Sequence, residues 1–357
     1  MSPIVDHFQE FKELPFDFEA FESNVCLLGR KCTIPSFFFP SRESACQAEI
    51  DRTAVQLSSL CVALHELPYV RYAAKSHVAE AIAMKFEKRM NSLLRDLKDW
   101  KSHDDRAVVI IVERSIDTVA PLIHEYTYQA MLNDLLEVDG EVVQIPKSSK
   151  TSADSSGPFT LVDNEALYRE LRHEHISLVT QAVVSRFEDF KSKNATAALK
   201  GSDNVKDMIA VAKALPQYRT EMQIVINSQT FVLTCQFSKH MIIAETCFDL
   251  FDERKLRDCS MLEQDMATGI TEAGDKTTKK DLQSRLIKLI KDPALRPEEK
   301  LRLIMIYIIT QDGIDRDTRK TLFDVGNFTA ADEEAVTNLL HLGVTLQNVR
   351  DFNILDA

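Results

Sequence analysis

The sequence predicts an α/β region followed by a mainly helical region, and three observations carry this prediction. The apolar run VVIIV within residues 106–113 has the pattern of a strand in a parallel sheet. Beyond Pro121, apolar residues recur at spacings of three and four, as in amphipathic helices. With 357 residues and 45% hydrophobic composition, the chain can form two or three domains. We expect the boundaries 1–120, 121–253 and 254–357.

The first region is predicted to be a partial parallel-sheet domain. Two strand-like pieces, residues 16–21 and 25–28, come first. A helix follows these two pieces, and the segment ELPYVRY at 66–72 is predicted to be the turn that ends it. The strand at 106–113 is apolar on both sides of its backbone, so we expect both faces to be covered. The helix that precedes the turn at 66–72 is predicted from an apolar stripe made of Leu57, Leu60, Cys61, Leu64 and Leu67.

The second region is predicted to contain a long helical hairpin. Its second arm is an apolar stripe within residues 205–215, and the polar segment 191–204 joins the arms. Its first arm has the stripe Ile176, Val179, Val183, Phe187 and Phe190.

Three further helices are expected nearer the end of the chain. One spans 282–290, and another spans 301–309 with Pro297 in its first turn. The third begins at the capping pattern Thr329-x-x-Asp332.

Composition excludes several classes of protein. The net charge of -12 argues against sequence-independent nucleic-acid binding, which needs Lys and Arg to displace counterions. The seven Cys form no CxxC pair and no complete disulfide set, which indicates a reducing compartment. We find neither a secretory signal nor an apolar run of about 18 residues. We therefore expect a cytoplasmic monomer that reaches membranes only peripherally, through its partners.

The segment from 107 to 136 is dense in charged and aromatic residues but has no catalytic pattern. His124 and Glu125 begin an HExxH-like run, yet Tyr128 replaces the last zinc ligand. Arg114 and Asp117 lack a Gly-rich loop or a nucleophile motif, so a structural ion pair is the better interpretation. We predict no enzyme activity, no metal site and no cofactor.

The run Arg-Ser-x-Asp-x-x-x-Pro-Leu-x-His-Glu-x-Thr-Tyr-Gln-Ala-Met at 114–131 resembles the signature of the SM family, the Sec/Munc-type syntaxin-binding proteins. More blocks follow the family order, among them ALPQY at 214–218 and SKHMIIAETC at 238–247, and the exocytic, Sec-like branch looks closest. The resemblance implies structural roles in packing and hydrogen bonding for Arg71, Arg114, Asp117, Pro121, His124, Glu125, Tyr128, Gln129 and Met131.

The resemblance also implies partners and a function. SM proteins organise SNARE pairing before vesicle fusion, so the expected partners are syntaxin-type and vesicle SNARE helices. The expected function is regulation of vesicle docking and fusion in exocytosis, with the hairpin as a template for SNARE assembly. A proline in the family's hairpin governs whether the helix is bent or extended, and it corresponds to Pro216. The implied partner-binding residues are Pro216, Gln217, Tyr218, His240, Met241, Ala244 and Glu245.

Two departures from the family suggest an alternative. The chain resembles the second and third family domains, so the family's arch is expected to be incomplete, without the first domain and the closing segment. Residues 224–235 look like an insertion whose β-branched composition argues against a helix. The alternative function is a truncated structural or regulatory fragment that has lost SNARE binding.

The segment from Lys276 to Arg302 is basic within an acidic chain. It contains nine Lys or Arg and four Asp or Glu. Such a face could meet acidic SNARE surfaces or anionic lipid. A solvated helix face is the default interpretation.

Overall fold

The computed structural model describes residues 17–28, 33–96, 100–146, 157–161, 165–193 and 228–348. The chain divides into two compact units. Unit 1 comprises Met1–Thr118 and Asn338–Val344, and unit 2 comprises Val119–Thr337 and Thr345–Ala357. The predicted fold class, α/β followed by mainly α, is confirmed. The predicted division into three domains stays a prediction.

Unit 1 contains an antiparallel hairpin, β1 and β2, and a parallel pair of strands, β3 and β4, joined by a helix. The strands are β1 Glu19–Glu22, β2 Val25–Leu27, β3 Tyr69–Tyr72 and β4 Val108–Ile111. The helices are α1 Ile34–Phe38, α2 Glu43–Ala63 and α3 His77–Asp96.

The core of unit 1 lies between the parallel strands and the helices α2 and α3. Ile50 on α2, Ile82 on α3 and Ile111 on β4 belong to one buried cluster. The prediction that residues 66–72 form a turn was wrong for the last four, which form β3. The partner of β3 lies 39 residues further along the chain, with Tyr69 opposite Val108, so no local pattern reveals the pairing.

One face of β4 is exposed in the structure. Val108 and Val112, the residue that follows β4, are about half exposed, and Ile110 is 66% exposed. The prediction that both faces of this strand are covered was therefore wrong for the described residues. The sequence pattern reports the apolar character of the strand, but it does not report whether a neighbour is present to cover it.

Unit 2 combines a three-stranded antiparallel sheet with nine helices among the described residues. The strands are β5 Glu137–Asp139, β6 Val142–Ile145 and β7 Gly157–Thr160. The helices are α4 Tyr128–Leu135, α5 Ala166–Leu171, α6 Ile176–Lys193, α7 Ser228–Glu253, α8 Leu256–Thr268, α9 Lys279–Ile290, α10 Pro297–Thr310, α11 Arg316–Gly326 and α12 Ala330–Thr337.

Local sequence signals set the ends of the later helices, and the three predicted ones are confirmed. Pro297 is the first residue of α10, where its missing N–H would lack a helical partner anyway. Thr329 and Asp332 cap α12 reciprocally, because the Asp332 carboxylate accepts from the Thr329 N–H at 2.8 Å. Asp315 caps α11 by accepting from the Thr318 N–H at 2.7 Å.

The first arm of the predicted hairpin is α6. The second predicted arm, 205–215, and the joining segment from residue 194 lie outside the described residues. The prediction that 224–235 is not helical was wrong from Ser228 onward, where α7 begins. Extending an existing helix adds one backbone hydrogen bond per residue. Each β-branched residue lowers the stability of the helix by about 0.7 kcal/mol at most, so these residues do not prevent the extension.

The core of unit 2 centres on α10, which is buried on several sides. Leu303, Ile304, Ile306, Tyr307 and Ile308 are all fully enclosed. Helix α8 packs against α10 and α9, while α7 packs against α4, α6 and α8. Among the residues that the structure describes, every helix is too short or too polar to cross a lipid bilayer.

Candidate functional site

The unit 2 part of the signature run is held as an extended strip beside the start of α6. The backbone N–H of Tyr128 donates to the Glu174 carbonyl at 2.9 Å, and that of Ile176 donates to the Tyr126 carbonyl at 2.8 Å. These bonds fix the direction of the strip between a short 3₁₀ turn at Ala120–Leu122 and α4. Two of its polar side chains, those of His124 and Tyr128, point into the helical core, where both are buried.

His124 is the centre of the first buried network, the His124 network. Its Nδ1 lies 2.8 Å from Oε1 of Glu263, whose other oxygen accepts from the His124 backbone N–H at 2.9 Å. Its Nε2 lies 3.4 Å from Oε2 of Glu299 and 2.8 Å from Nη1 of Arg302. Arg302 also makes a two-pronged pair with Asp134. The network joins the signature run to α4, α8 and α10.

The carboxylates of this network favour a charged imidazole. Burial opposes the charge, but hydrogen bonds to Glu263 and Glu299 raise the pKa of His124 to about 9. Arg302 lowers the pKa of the ring, but its one positive charge does not outweigh the carboxylates around it. Burial raises the pKa of Glu299, yet its hydrogen bond to His124 holds that pKa below the usual value. The carboxylates thus favour the protonated ring, whereas Arg302 Nη1, 2.8 Å from Nε2, can donate only to a neutral one.

Tyr128 begins the second network, the His240 network. Its hydroxyl lies 2.9 Å from Nδ1 of His240 on α7, and Nε2 of His240 lies 2.8 Å from Oε1 of Glu165. The other oxygen of Glu165 accepts from the Lys239 ammonium, which also donates to the Thr160 carbonyl at 3.0 Å. Four side chains thus link α4, α7 and the residue before α5 in one hydrogen-bonded chain.

The surroundings of His240 favour a neutral ring, in contrast to the raised pKa of His124. Burial lowers the pKa of His240 despite the opposing effect of Glu165. A neutral ring satisfies both contacts, because Nε2–H donates to Glu165 while Nδ1 accepts from the Tyr128 hydroxyl. Burial also raises the pKa of Tyr128 well above its usual value, so the phenol stays protonated and able to donate. The surroundings of the two rings therefore shift the two pKa values in opposite directions, upward for His124 and downward for His240.

The other signature residues occupy less buried positions, with one exception. Met131 is buried in α4, and the Gln129 backbone N–H donates to the Arg172 carbonyl at 2.9 Å. Arg114 lines a cavity of about 520 Å³ in unit 1. The predicted ion pair between Arg114 and Asp117 stays a prediction. Five signature residues have exposed positions in their respective units: Arg71, Arg114, Asp117, Pro121 and Glu125.

The predicted partner-binding residues on α7 do not form an exposed face. His240 and Ala244 are completely buried, Met241 is 5% exposed, and Glu245 is half-buried. The reason is that α7 packs against both α4 and α6, so two of its sides are covered. Contact of Met241 with a partner stays a prediction that requires this packing to open. Pro216, Gln217 and Tyr218 lie outside the described residues.

Sequence reasoning missed the ionic partners of both histidines. These are Glu263, Glu299 and Arg302 for His124, and Glu165 for His240. A signal for Glu263 was available, since it shares the buried stripe of α8 with Cys259 and Met266. A lone carboxylate on an apolar helical stripe indicates a buried partner of opposite charge.

The geometry supports a structural function for these networks. The side chain of His124 is 3% exposed and that of His240 is fully enclosed, so neither ring is open to a substrate. Within the described part of the chain, no group of three or more His, Cys, Asp or Glu could hold a metal ion. The networks instead tie the signature run to the helices around it.

This combination of fold and buried signature run defines the class of SM proteins. A chain of the Unc18–syntaxin 1 complex from Monosiga brevicollis matches with a TM-score of 0.77 at 22% identity, covering 100% of this chain and 61% of that chain. The SM protein Vps45 matches with a TM-score of 0.65 at 18% identity, over 92% of this chain and 55% of that chain.

The family follows from the sequence comparisons. The chain belongs to the Sec1 family, whose model matches residues 2–356, and the predicted SM membership is confirmed. The protein transport protein sec1 of Dictyostelium discoideum is 30% identical over 97% of this chain and 55% of its own length. The protein of the same name in Schizosaccharomyces pombe is 26% identical over 94% of this chain and 48% of its own length. The chain thus spans about half the length of the curated relatives it matches.

Proposed function

We propose that this chain is a SNARE-binding regulator of vesicle docking and membrane fusion in exocytosis, and that it provides a template for SNARE assembly. The observation that carries the proposal is the match of nearly the whole chain to the Sec1 family. Structures with the same fold include the Unc18–syntaxin 1 complex and Vps45 in complex with the Qa SNARE Tlg2. Syntaxin-type and vesicle SNARE helices are accordingly the proposed partners.

The helices α6 and α7 supply the physical basis for binding a helical partner. They pack side by side, as the base of a helical hairpin must, and a SNARE motif is itself an amphipathic helix. The His240 network anchors α7 through α4 and Glu165, which fixes the direction in which the helix leaves the core. The proposed contact residues Pro216, Gln217 and Tyr218 precede α7 in the chain.

The proposal assigns binding rather than covalent chemistry to the chain. Family membership supports this assignment, and so does the enclosure of both histidines of the signature networks. We further propose that the protein works in the cytoplasm and reaches the plasma membrane or vesicles through its SNARE partners.

A second candidate is a structural or regulatory fragment that does not bind SNAREs. The exposed apolar face of β4 favours it, because Val108, Ile110 and Val112 lack cover among the described residues.

Titration against labelled SNARE motifs separates the two candidates. Folded chain, checked by melting, is titrated with vesicle and plasma-membrane SNARE motifs in the absence of membranes. The proposed function predicts saturable binding that falls roughly tenfold or more in Gln217→Ala/Tyr218→Ala. The double variant Lys88→Ala/Arg89→Ala, on an exposed part of α3, is the control and is expected to bind like the parent. A folded parent that binds neither motif overturns the proposal and favours the second candidate.

A further inference from the structure

The outward side of α9 has a row of lysines. Leu282, Leu286 and Ile290 are buried on the inner side of the helix. At about 100° per residue, the opposite side presents one serine and three exposed lysines. These residues, the lysine face, are Lys280, Ser284, Lys288 and Lys291.

The lysine face carries positive charge that its acidic neighbours do not neutralise. Asp281 faces Arg285 across one helical turn at 3.6 Å, and Asp292 pairs with Lys255 at 2.7 Å. Within the ranges that the structure describes, no ion pair involves the three lysines of the face. Because the nearby carboxylates already have cationic partners, the charge of these lysines is available to an outside ligand.

More cations lie next to the face in the sequence. Lys276 and Lys279 are exposed just before and at the start of α9. The segment from Lys276 to Arg302 contains nine Lys or Arg and four Asp or Glu, whereas the chain as a whole has a net charge of -12. A negatively charged surface would therefore repel most of the protein and attract this side of α9.

We propose that the lysine face docks on an anionic lipid membrane. The side-chain type favours a membrane over a protein partner, because protein interfaces are depleted in Lys and enriched in aromatic residues and Arg. The lysine face offers no apolar anchor and no guanidinium for two-pronged recognition of a carboxylate. Compact, hydrated ammonium groups suit a layer of headgroups whose charge is spread over a plane.

The size of the effect follows from surface electrostatics. Each Lys near an anionic membrane strengthens binding by about fivefold, so the three lysines together contribute roughly 100-fold. Without an apolar anchor, the binding is purely electrostatic. It should therefore weaken strongly as salt shortens the range of the attraction.

Vesicle cosedimentation of the whole chain tests the proposal. Phosphatidylcholine vesicles with about 30% phosphatidylserine are compared with pure phosphatidylcholine vesicles, at low and at physiological salt. The test variant Lys280→Gln/Lys288→Gln/Lys291→Gln keeps good helix formers on α9. The control variant Lys75→Gln/Lys88→Gln/Arg89→Gln removes the same charge from exposed positions in unit 1.

The proposal expects binding to the anionic vesicles only, a loss of roughly 100-fold in the α9 variant, and a much smaller loss in the control. Equal losses in both variants would mean that net charge matters and the face does not, which overturns the proposal. No binding by the parent, or full binding by the α9 variant, overturns it as well. Because SNARE motifs are absent from this assay, its outcome is independent of the titration that tests the proposed function.

Discussion

Replacing His124 by Gln should remove the positive charge that Glu263 and Glu299 favour at this position and leave the fold of unit 2 in place. Glutamine keeps an amide that can donate to Glu263, so the change removes charge more than it removes hydrogen bonding. Glu263 is fully enclosed and cannot turn to water for compensation. We therefore expect lower stability in the variant and, more specifically, a changed dependence of stability on pH.

The magnitude follows from the pKa of His124, which is about 9 in the folded protein and about 6.5 when unfolded. A tenfold difference in proton affinity corresponds to about 1.4 kcal/mol, so the charged ring contributes about 3 kcal/mol. Because the folded pKa is the higher one, this contribution is fully present below about pH 6.5 and is lost as the pH rises to about 9. Breaking a buried ion pair typically costs a similar amount, about 3–5 kcal/mol.

Urea unfolding at a series of pH values from about 6 to about 10 measures this contribution. Helix loss, followed by circular dichroism, reports on both units, while the fluorescence of the single tryptophan, Trp100, reports on unit 1. The parent should lose about 3 kcal/mol of stability over this range relative to His124→Gln. The control is His77→Gln, since the side chain of His77 is 99% exposed and should leave the slope unchanged.

A parallel pH dependence in the parent and in His124→Gln would refute the reasoning. It would mean that the ring is neutral at neutral pH and accepts a hydrogen bond from Arg302, which lies 2.8 Å from Nε2.

Three further predictions concern other parts of the fold. Tyr128→Phe removes the donor to His240 and should destabilise unit 2 by about 1–3 kcal/mol in urea unfolding; a loss below about 0.5 kcal/mol would contradict the network. Ile110→Thr should reduce binding of an apolar dye with little change in stability, because the side chain is 66% exposed; unchanged dye binding would count against β4 as the site. Asp315→Ala removes the cap of α11 and should lower the free energy of unfolding by about 0.5–2 kcal/mol in urea unfolding. Asp315→Asn can still cap the helix and should keep most of that stability.

The parts of the fold predicted from sequence are those that local chemistry determines. Pro297 and the Thr329–Asp332 pair mark where α10 and α12 begin, because each affects only backbone groups within one helical turn of its own position. The apolar run of β4 was recognised as a strand for the same reason. Its partner β3 was not recognised, because the pairing joins residues 39 apart and leaves no local trace.

The site was harder to predict because its contacts are longer still. His124 and Tyr128 were singled out as signature residues, but their partners Glu263 and His240 lie 139 and 112 residues away. The resemblance named His240 and Ala244 on α7 as partner-binding residues, yet a motif does not say whether its side of a helix meets solvent or another helix. That choice depends on α4 and α6, which a single helical pattern does not contain.

The distance in sequence between His124 and Arg302, 178 residues, also has a consequence for synthesis. A ribosome that adds about 5–20 residues per second needs roughly 10–40 s to complete this interval. Throughout that time the nascent chain already has His124 and Asp134 but lacks the guanidinium that joins them. Burying these groups early would leave charges without partners, so the signature run should stay hydrated until α10 emerges. Unit 2 is therefore expected to assemble late, with α10 as the element that completes it.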